Sequence, residues 1–343
     1  MPPTVRFRNA ALIHNPLAGQ ALWRRRRRLD QVVELLAAYG IVAQLVPTTG
    51  PGSATAQARE QVAAGRDLII VCGGDGTVNE VINGMAGSSV PLALLPTGTG
   101  NALGKELGLP WDPWRAAEYI PQGIVRRIAL GRAGERYFIS LAGAGADASM
   151  VYHLGQGSKL HLGIWSYWLE AFRHLFVYDF PEFTVRVGEN TVSGTLLVVS
   201  RIKHYGGPIQ ITRRADLFGN DFEVCIFPRR FPLVYFAYFL AQLVGRLESV
   251  RAVRFLRGQR VRAEPARPAG GPRGARIHVQ VDGEYVGELP MEFVIVPDAL
   301  SLLVPAGAGG HPSAGSGSPL RQGPPLHCSA NCILGNDGFL LAR

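Results

Sequence analysis

The stretch VCGGDGTVNEVING, residues 71–84, decides how the rest of the chain is read. The apolar run before it, DLIIVC (67–72), has the length and composition of a buried strand. Two glycines, Asp75, a third glycine and Thr77 follow, and helical spacing then runs from about Val78 to Met85. A glycine loop between a strand and a helix lets backbone amides approach phosphate oxygens closely, and the helix N-terminus adds partial positive charge. A carboxylate in such a place is at odds with an anion. Asp75 is therefore either a turn residue capping the helix or a group facing a divalent cation that itself bridges phosphates.

Working outward, the same strand–loop–helix unit recurs. AALIHN (10–15) is a strand that ends in Pro16 and Gly19, and residues 21–39 follow with helical spacing until Gly40. IVAQLV (41–46) is a strand, Ser53 is a candidate N-cap for a helix to about Ala64, and VPLALLP (90–96) leads to a helix over 102–107. This alternation predicts an α/β nucleotide-binding domain with a parallel sheet over residues 1–124. Ligands of such sheets sit beyond the carboxyl ends of the strands. Three loops fall there: HNPLAGQ (14–20), GGDGTVN (73–79) and PTGTGN (96–101). Three such loops on successive strands are a stronger sign than any one alone.

After about residue 124 the pattern changes. FTVRV (183–187), TLLVVSRI (195–202), FEVCIF (222–227), ARIHVQVD (275–282) and MEFVIV (291–296) alternate or are β-branched. They predict a second, mainly antiparallel β-sandwich domain over 125–305, whose last strand is free to return to the first, with the active site in the cleft between the two. Residues 306–343 form a Gly/Pro/Ser-rich tail read as disordered.

The formal net charge of +9 suits an acidic or phosphorylated partner. Five consecutive arginines, Arg24 to Arg28, point all round a helix and so cannot all face one ligand; most are read as solvated, with one or two near the helix start free to face phosphates after the NPLAG loop or to hold anionic lipid. No motif supports nucleic acid. The most apolar run, FPLVYFAYFLAQLVG (231–245), falls short of the roughly 20 residues a spanning helix needs, so it is a buried helix or a membrane-touching face. LHLGIWSYWLEAFRHLFVY (160–178) is core, acyl-chain pocket or bilayer contact. Cys72 and Cys225 lie in apolar runs, whereas Cys328 and Cys332 lie in the tail. The first ten residues lack an apolar signal region, and the expected location is cytoplasmic with peripheral membrane association.

In order, NPLAG, GGDGTVNEVING, LLPTGTGNALGKELGLP and VDGEYVGELP resemble the diacylglycerol kinase catalytic family, which includes bacterial lipid kinases and the sphingosine and ceramide kinases. The resemblance spans about residues 10–305. GGDGT alone is shared with NAD kinases and phosphofructokinases; its combination with PTGTGN and the late VDGE is far more specific. The resemblance implies an ATP- and Mg²⁺-dependent kinase acting on a free lipid hydroxyl. It implies ATP contacts at Asn15, Thr48, Gly73, Gly74, Asp75, Gly76, Thr77, Val78, Asn79 and Thr99, with Asn101 fixing its loop or touching a phosphate. Ala18 stands where the family usually has a hydroxyl.

The proton acceptor implied is Glu284, within Asp282-Gly283-Glu284; the bland reading of these residues is an Asp-Gly hairpin with Glu284 on a solvated face. Asp282 and Asp75 complete the catalytic candidates, with Asp75 as Mg-ATP organiser. Asp147, in GAGADASMV (143–151), matches a head-group contact of sphingosine kinases and is otherwise a cap for a helix beginning near Ser149. The family's structural Mg²⁺ motif fits RRADLFGNDFEVCIF poorly; Asp221 is the nearest candidate, with Asp216 and Glu223 close by. An NAD kinase-like small-molecule kinase and a non-catalytic basic membrane-binding module are the alternatives.

Overall fold

Four strands open the chain: β1 (Asn9–His14), β2 (Val42–Pro47), β3 (Leu68–Gly73) and β4 (Leu92–Pro96). They lie parallel in the order β2-β1-β3-β4. The computed structural model describes residues 7–16, 22–157, 178–204, 210–228, 232–266 and 276–307. Helices α1 (Leu22–Ala38) and α5 (Pro113–Ala117) pack on one face; α2 (Ser53–Ala63), α3 (Asp75–Met85) and α4 (Ala102–Glu106) pack on the other. The period of two in β3 makes this possible. Leu68 and Ile70 meet Val32 and Leu36 of α1, while Ile69 and Val71 meet Val81 and Ile82 of α3.

The chain then enters β5 (Ile124–Ala133), β6 (Arg136–Phe138), β7 (Leu141–Gly145), α6 (Ala146–Gly157), β8 (Phe183–Val187), β9 (Asn190–Gly194), β10 (Leu196–Ser200) and β11 (Phe222–Phe227). Helix α7 (Pro232–Leu243) follows, then β12 (Arg254–Gly258), β13 (Arg260–Pro265), β14 (His278–Val281), β15 (Glu284–Glu288) and β16 (Met291–Val304). A six-stranded antiparallel sheet runs β12-β11-β10-β7-β14-β15. It faces β8, β13 and the first half of β16 across a core of Phe138, Phe183, Val199, Phe222, Val261 and Phe293.

The 14-residue β16 joins the two parts. Residues 291–294 pair antiparallel with β13, residues 293–296 and 300–304 pair antiparallel with β5 across a bulge, and Leu302 pairs parallel with Leu92 of β4. One sheet therefore runs from the parallel strands into the sandwich, and the last strand does return to the first part of the chain.

Three local readings change. Helix α3 begins at Asp75 rather than Val78, because the Val78 amide already donates to the Gly74 carbonyl (3.0 Å). Ser53 is the first helical residue of α2 and not its cap; its hydroxyl accepts from the amides of Thr49 and Gly50. The capping comes from Glu80 of α3, whose carboxylate accepts from the amides of Gly52 (2.8 Å) and Ala54 (3.0 Å). Asp147 is likewise no N-cap, since α6 begins before it at Ala146. Ala18, the 158–177 stretch, the side chains of Arg24 to Arg28, Cys328, Cys332 and the tail from 308 lie outside the described residues. Among the described residues no helix is long and apolar enough to cross a membrane.

Candidate active site

The glycine loops at the carboxyl ends of β3 and β4 come together, and Asn15, just past β1, lines the cavity beside them. Gly74 and Gly98 meet backbone to backbone: a Cβ on Gly98 would stand 2.5 Å from the Gly74 Cα, so only glycine allows the 73–76 and 97–101 loops to touch. Asn101 closes the second loop on itself. It holds a left-handed φ of 49°, accepts from the Gly98 amide and donates to the Gly98 carbonyl (both 2.8 Å). Of its two expected roles the structure shows loop fixing.

Two cavities flank these loops. The larger, about 440 Å³, is lined by Asn15, Thr48, Thr49, Gly50, Pro51, Gly74, Gly76, Thr77, Glu80 and Glu284. The smaller, about 150 Å³, is lined by Asp75, Gly100, Ala102, Ser140, Leu141, Asp147, Val151, Gln280, Asp282 and Gly283. Residues 74–76 and 282–284 contribute to both, so these two turns form the wall between them.

The expected ATP contacts divide accordingly. Asn15, Thr48, Gly74, Gly76 and Thr77 line the larger cavity. Gly73 lies at the buried end of β3 against Thr77, and Thr99 is exposed on its loop. Val78 points into the core, and Asn79 is fully buried. The Asn79 side-chain amide donates to the Tyr137 carbonyl (3.0 Å) and to Asp282 (2.8 Å). The side chains of Val78 and Asn79 thus face the protein interior, because the turn of α3 that carries them is packed under β6.

Asp75 lines the smaller cavity. One of its oxygens accepts from the Ala102 amide (2.7 Å), and the other lies so near Gly100 that a Cβ there would be 2.4 Å away. Burial raises its pKa, against the opposing pull of the Ala102 and Asn101 amides and of Lys105. The same burial lowers Lys105, with Asp75 opposing.

The Asp282-Gly283 turn is the expected hairpin. Both residues have positive φ, 47° and 86°, which suits a two-residue loop between β14 and β15. The Asp282 carboxylate turns inward, where it accepts from the amides of Ile139 (3.0 Å), Ser140 (2.9 Å) and Leu141 (3.0 Å) and from Asn79. Four donors leave this carboxylate anchoring β7 and α3 to the hairpin rather than open to a substrate. Burial raises its pKa and these donors pull it back.

Glu284 is not on a solvated face. Its carboxylate lies beside Gly76, where an added Cβ would be 3.3 Å from Oε1, and it accepts from Arg136 on β6. Burial raises its pKa and Arg136 opposes, while Glu80 and Asp282 raise it further. Asp147 reaches the smaller cavity from the first turn of α6 and accepts from Gln280 (2.8 Å).

Sequence reasoning missed Arg136, Gln280 and Glu80. Gln280 also accepts from the Gly283 amide (2.9 Å), so it ties Asp147 to the hairpin. Strand alternation puts Gln280 on the same side as Asp282, a signal that was present but weak.

The cavities' donor set suits a divalent ion carried on phosphates. No group of three or more His, Cys, Asp or Glu among the described residues forms a ready cage. Mg²⁺ is usually held by one or two carboxylates with substrate phosphates and water, and Asp75 at the partition between the cavities meets that need. Asp221 does not suit a structural metal. Both its oxygens accept from Arg257 (2.8 and 2.7 Å), Asp216 accepts from the Phe218 amide (3.0 Å), and Glu223 accepts from the Arg214 amide (2.7 Å).

Comparison with known proteins agrees with this fold. Residues 9–133 match the diacylglycerol kinase catalytic domain, and residues 140–304 match the YegS C-terminal NAD kinase beta sandwich-like domain. The chain is 27% identical over 304 residues to a diacylglycerol kinase of Bacillus subtilis (strain 168), covering 87% of this chain and 97% of that one. It is 26% identical over 302 residues to a diacylglycerol kinase of Staphylococcus saprophyticus, covering 87% and 96%. A crystal structure of a diacylglycerol kinase from Bacillus anthracis str. Sterne shares the fold, with a TM-score of 0.68 at 23% identity over 88% of this chain and 98% of that one.

Proposed function

This chain belongs to the diacylglycerol kinase catalytic family and is a lipid kinase, and on that premise we propose that it transfers the γ-phosphate of ATP to a free hydroxyl of a diacylglycerol-like or sphingoid lipid. The observation that carries this reading is the pair of cavities divided by two carboxylate-bearing turns. ATP occupies the larger cavity, its phosphates against the amides of residues 74–77 and the N-terminus of α3. The hydroxyl enters from the smaller cavity, where Asp147, held by Gln280, accepts its hydrogen bond or that of a neighbouring polar group.

Transfer needs the two oxygens in line and the hydroxyl proton accepted late. Glu284 stands on the partition and takes that proton. Its raised pKa moves its basicity toward that of a useful general base. Asp75 would hold the Mg²⁺ that accompanies the triphosphate, which would supply the positive charge needed between that carboxylate and the phosphates. Arg136 keeps Glu284 pointed at the partition.

The lipid is presented at a membrane surface. Helix α7 buries Tyr235 and Tyr238 against Phe180 and Phe227 but exposes Leu233, Phe236, Leu240 and Leu243. Arg246, Arg251 and Arg254 follow it in the chain, and about 1 kcal/mol per arginine is available from an anionic surface.

A lipid panel tests the proposal. The protein is incubated with labelled ATP, Mg²⁺ and mixed micelles of diacylglycerol, monoacylglycerol, sphingoid base or ceramide. Label in the diacylglycerol or sphingoid lane is expected. Absence of transfer to every lipid, or transfer to NAD instead, overturns it.

A further inference from the structure

Arg201 follows β10 and is completely buried. Its guanidinium donates four hydrogen bonds, and every acceptor is a backbone carbonyl. Nη1 reaches Gly219 (2.7 Å) and Asp221 (3.3 Å); Nη2 reaches Leu217 (2.6 Å) and Ala129 (3.0 Å). Three of these carbonyls come from the loop before β11, and Ala129 belongs to β5 in the other sheet. Nε makes no hydrogen bond. Asp216 and Asp221 add negative potential, which opposes the lowering of the Arg201 pKa by burial; at about 10 the group stays charged at neutral pH.

A ring of convergent carbonyl oxygens flanked by carboxylates is the chemistry of a hard-cation site. Here the positive charge already stands at its centre, on a side chain. The neighbouring carboxylates are engaged elsewhere: Asp221 by Arg257, Asp216 by the Phe218 amide, Glu223 by the Arg214 amide.

We propose that the Arg201 guanidinium is the resident cation of the 216–221 loop, so that this part of the fold requires no divalent ion. The planar fork suits the task, because two nitrogens serve four carbonyls, three in the loop and one on β5. A lysine, a point charge with three donors, reaches only part of the ring. Through Ala129 the same side chain fastens the loop to β5. Ile202 and Leu217 belong to the hydrophobic core of the parallel sheet, which places the clamp where the two layers join.

The test needs neither ATP nor lipid, so its outcome is separate from the kinase reading. Purified full-length wild-type protein is passed over chelating resin, its metal content is measured, and its melting temperature is recorded with EDTA, Mg²⁺ or Ca²⁺. Substoichiometric metal and one melting temperature in all three conditions are expected. A tightly held divalent ion, or a melting temperature lowered by EDTA, overturns the proposal. Arg201→Lys is expected to melt several degrees lower. Arg201→Ala is expected to melt lower still and to regain part of the loss in millimolar methylguanidinium. If Arg201→Ala is stabilised by Mg²⁺ or Ca²⁺, or does not respond to methylguanidinium, the guanidinium is not the loop's cation. If Arg201→Ala does not fold, the wild-type measurements and Arg201→Lys still decide the matter.

Discussion

Two Asp-Gly turns face each other across the site, and they put the same dipeptide to different uses. At Asp75-Gly76 the aspartate opens a helix, gives one oxygen to a neighbouring amide and leaves its carboxylate on a cavity wall. At Asp282-Gly283 the aspartate closes a hairpin, and its carboxylate is held by three amides and a buried asparagine. In our proposal the first carboxylate serves the chemistry, while the second holds the scaffold. The residue that carries the reacting proton in our proposal, Glu284, stands just outside the second turn, where the anchored Asp282 fixes its position.

The largest expected effect separates Glu284 from both aspartates. Glu284→Gln is expected to lower kcat by about 10²- to 10⁴-fold while nucleotide affinity, measured by calorimetry, stays nearly constant. Full turnover in that variant breaks the assignment of the base.

Next comes Asp282→Ala, which leaves four buried donors without their acceptor. It is expected to cost about 3 kcal/mol in urea unfolding, and an unchanged midpoint would reduce this turn to an ordinary hairpin.

Asp75→Asn is expected to do the opposite to stability. Burial raises the Asp75 pKa, so the folded state favours its protonated form. Its contribution to stability is present below the unfolded pKa and is lost as pH rises through the folded one. An uncharged asparagine removes that loss. The variant is expected to melt higher than wild type at neutral pH and to need more Mg-ATP for half-maximal rate. If it melts lower and keeps its Mg-ATP requirement, Asp75 is a scaffold residue like Asp282.

The smallest effect concerns Arg136→Gln. Activity is expected to rise with pH as Glu284 ionises, on a limb above the ordinary carboxylate range because burial raises its pKa. Arg136 opposes that rise, so its removal moves the limb to higher pH. A limb that stays in place in the pH–rate profile means that the pair does not tune the base.

Much of this was legible in the chain. The parallel sheet of β1 to β4, the glycine loops and the late hairpin followed from apolar periods, glycine positions and an Asp-Gly pair, all local signals. The start of α3 differs because the helix winds back into the glycine loop itself, whereas the cap of α2 differs because the group that satisfies its backbone amides comes from elsewhere. Glu80 caps α2 through the Gly52 amide, 28 residues earlier in the chain. Asn79 was read as a nucleotide contact, yet it turns toward Asp282, 203 residues away.

By itself the sequence determined the parallel strands of the first part of the chain, most of the helices between them and the glycine loops that follow β3 and β4, because backbone sterics and side-chain period act over a few residues. Tertiary structure alone decided which carboxylates face a cavity, that Arg136 meets Glu284 across 148 residues, and that Arg201 fills a ring of carbonyls. Those outcomes depend on which polar groups are left without water when distant strands pack, and each buried donor or acceptor must then find its partner wherever the fold has placed one.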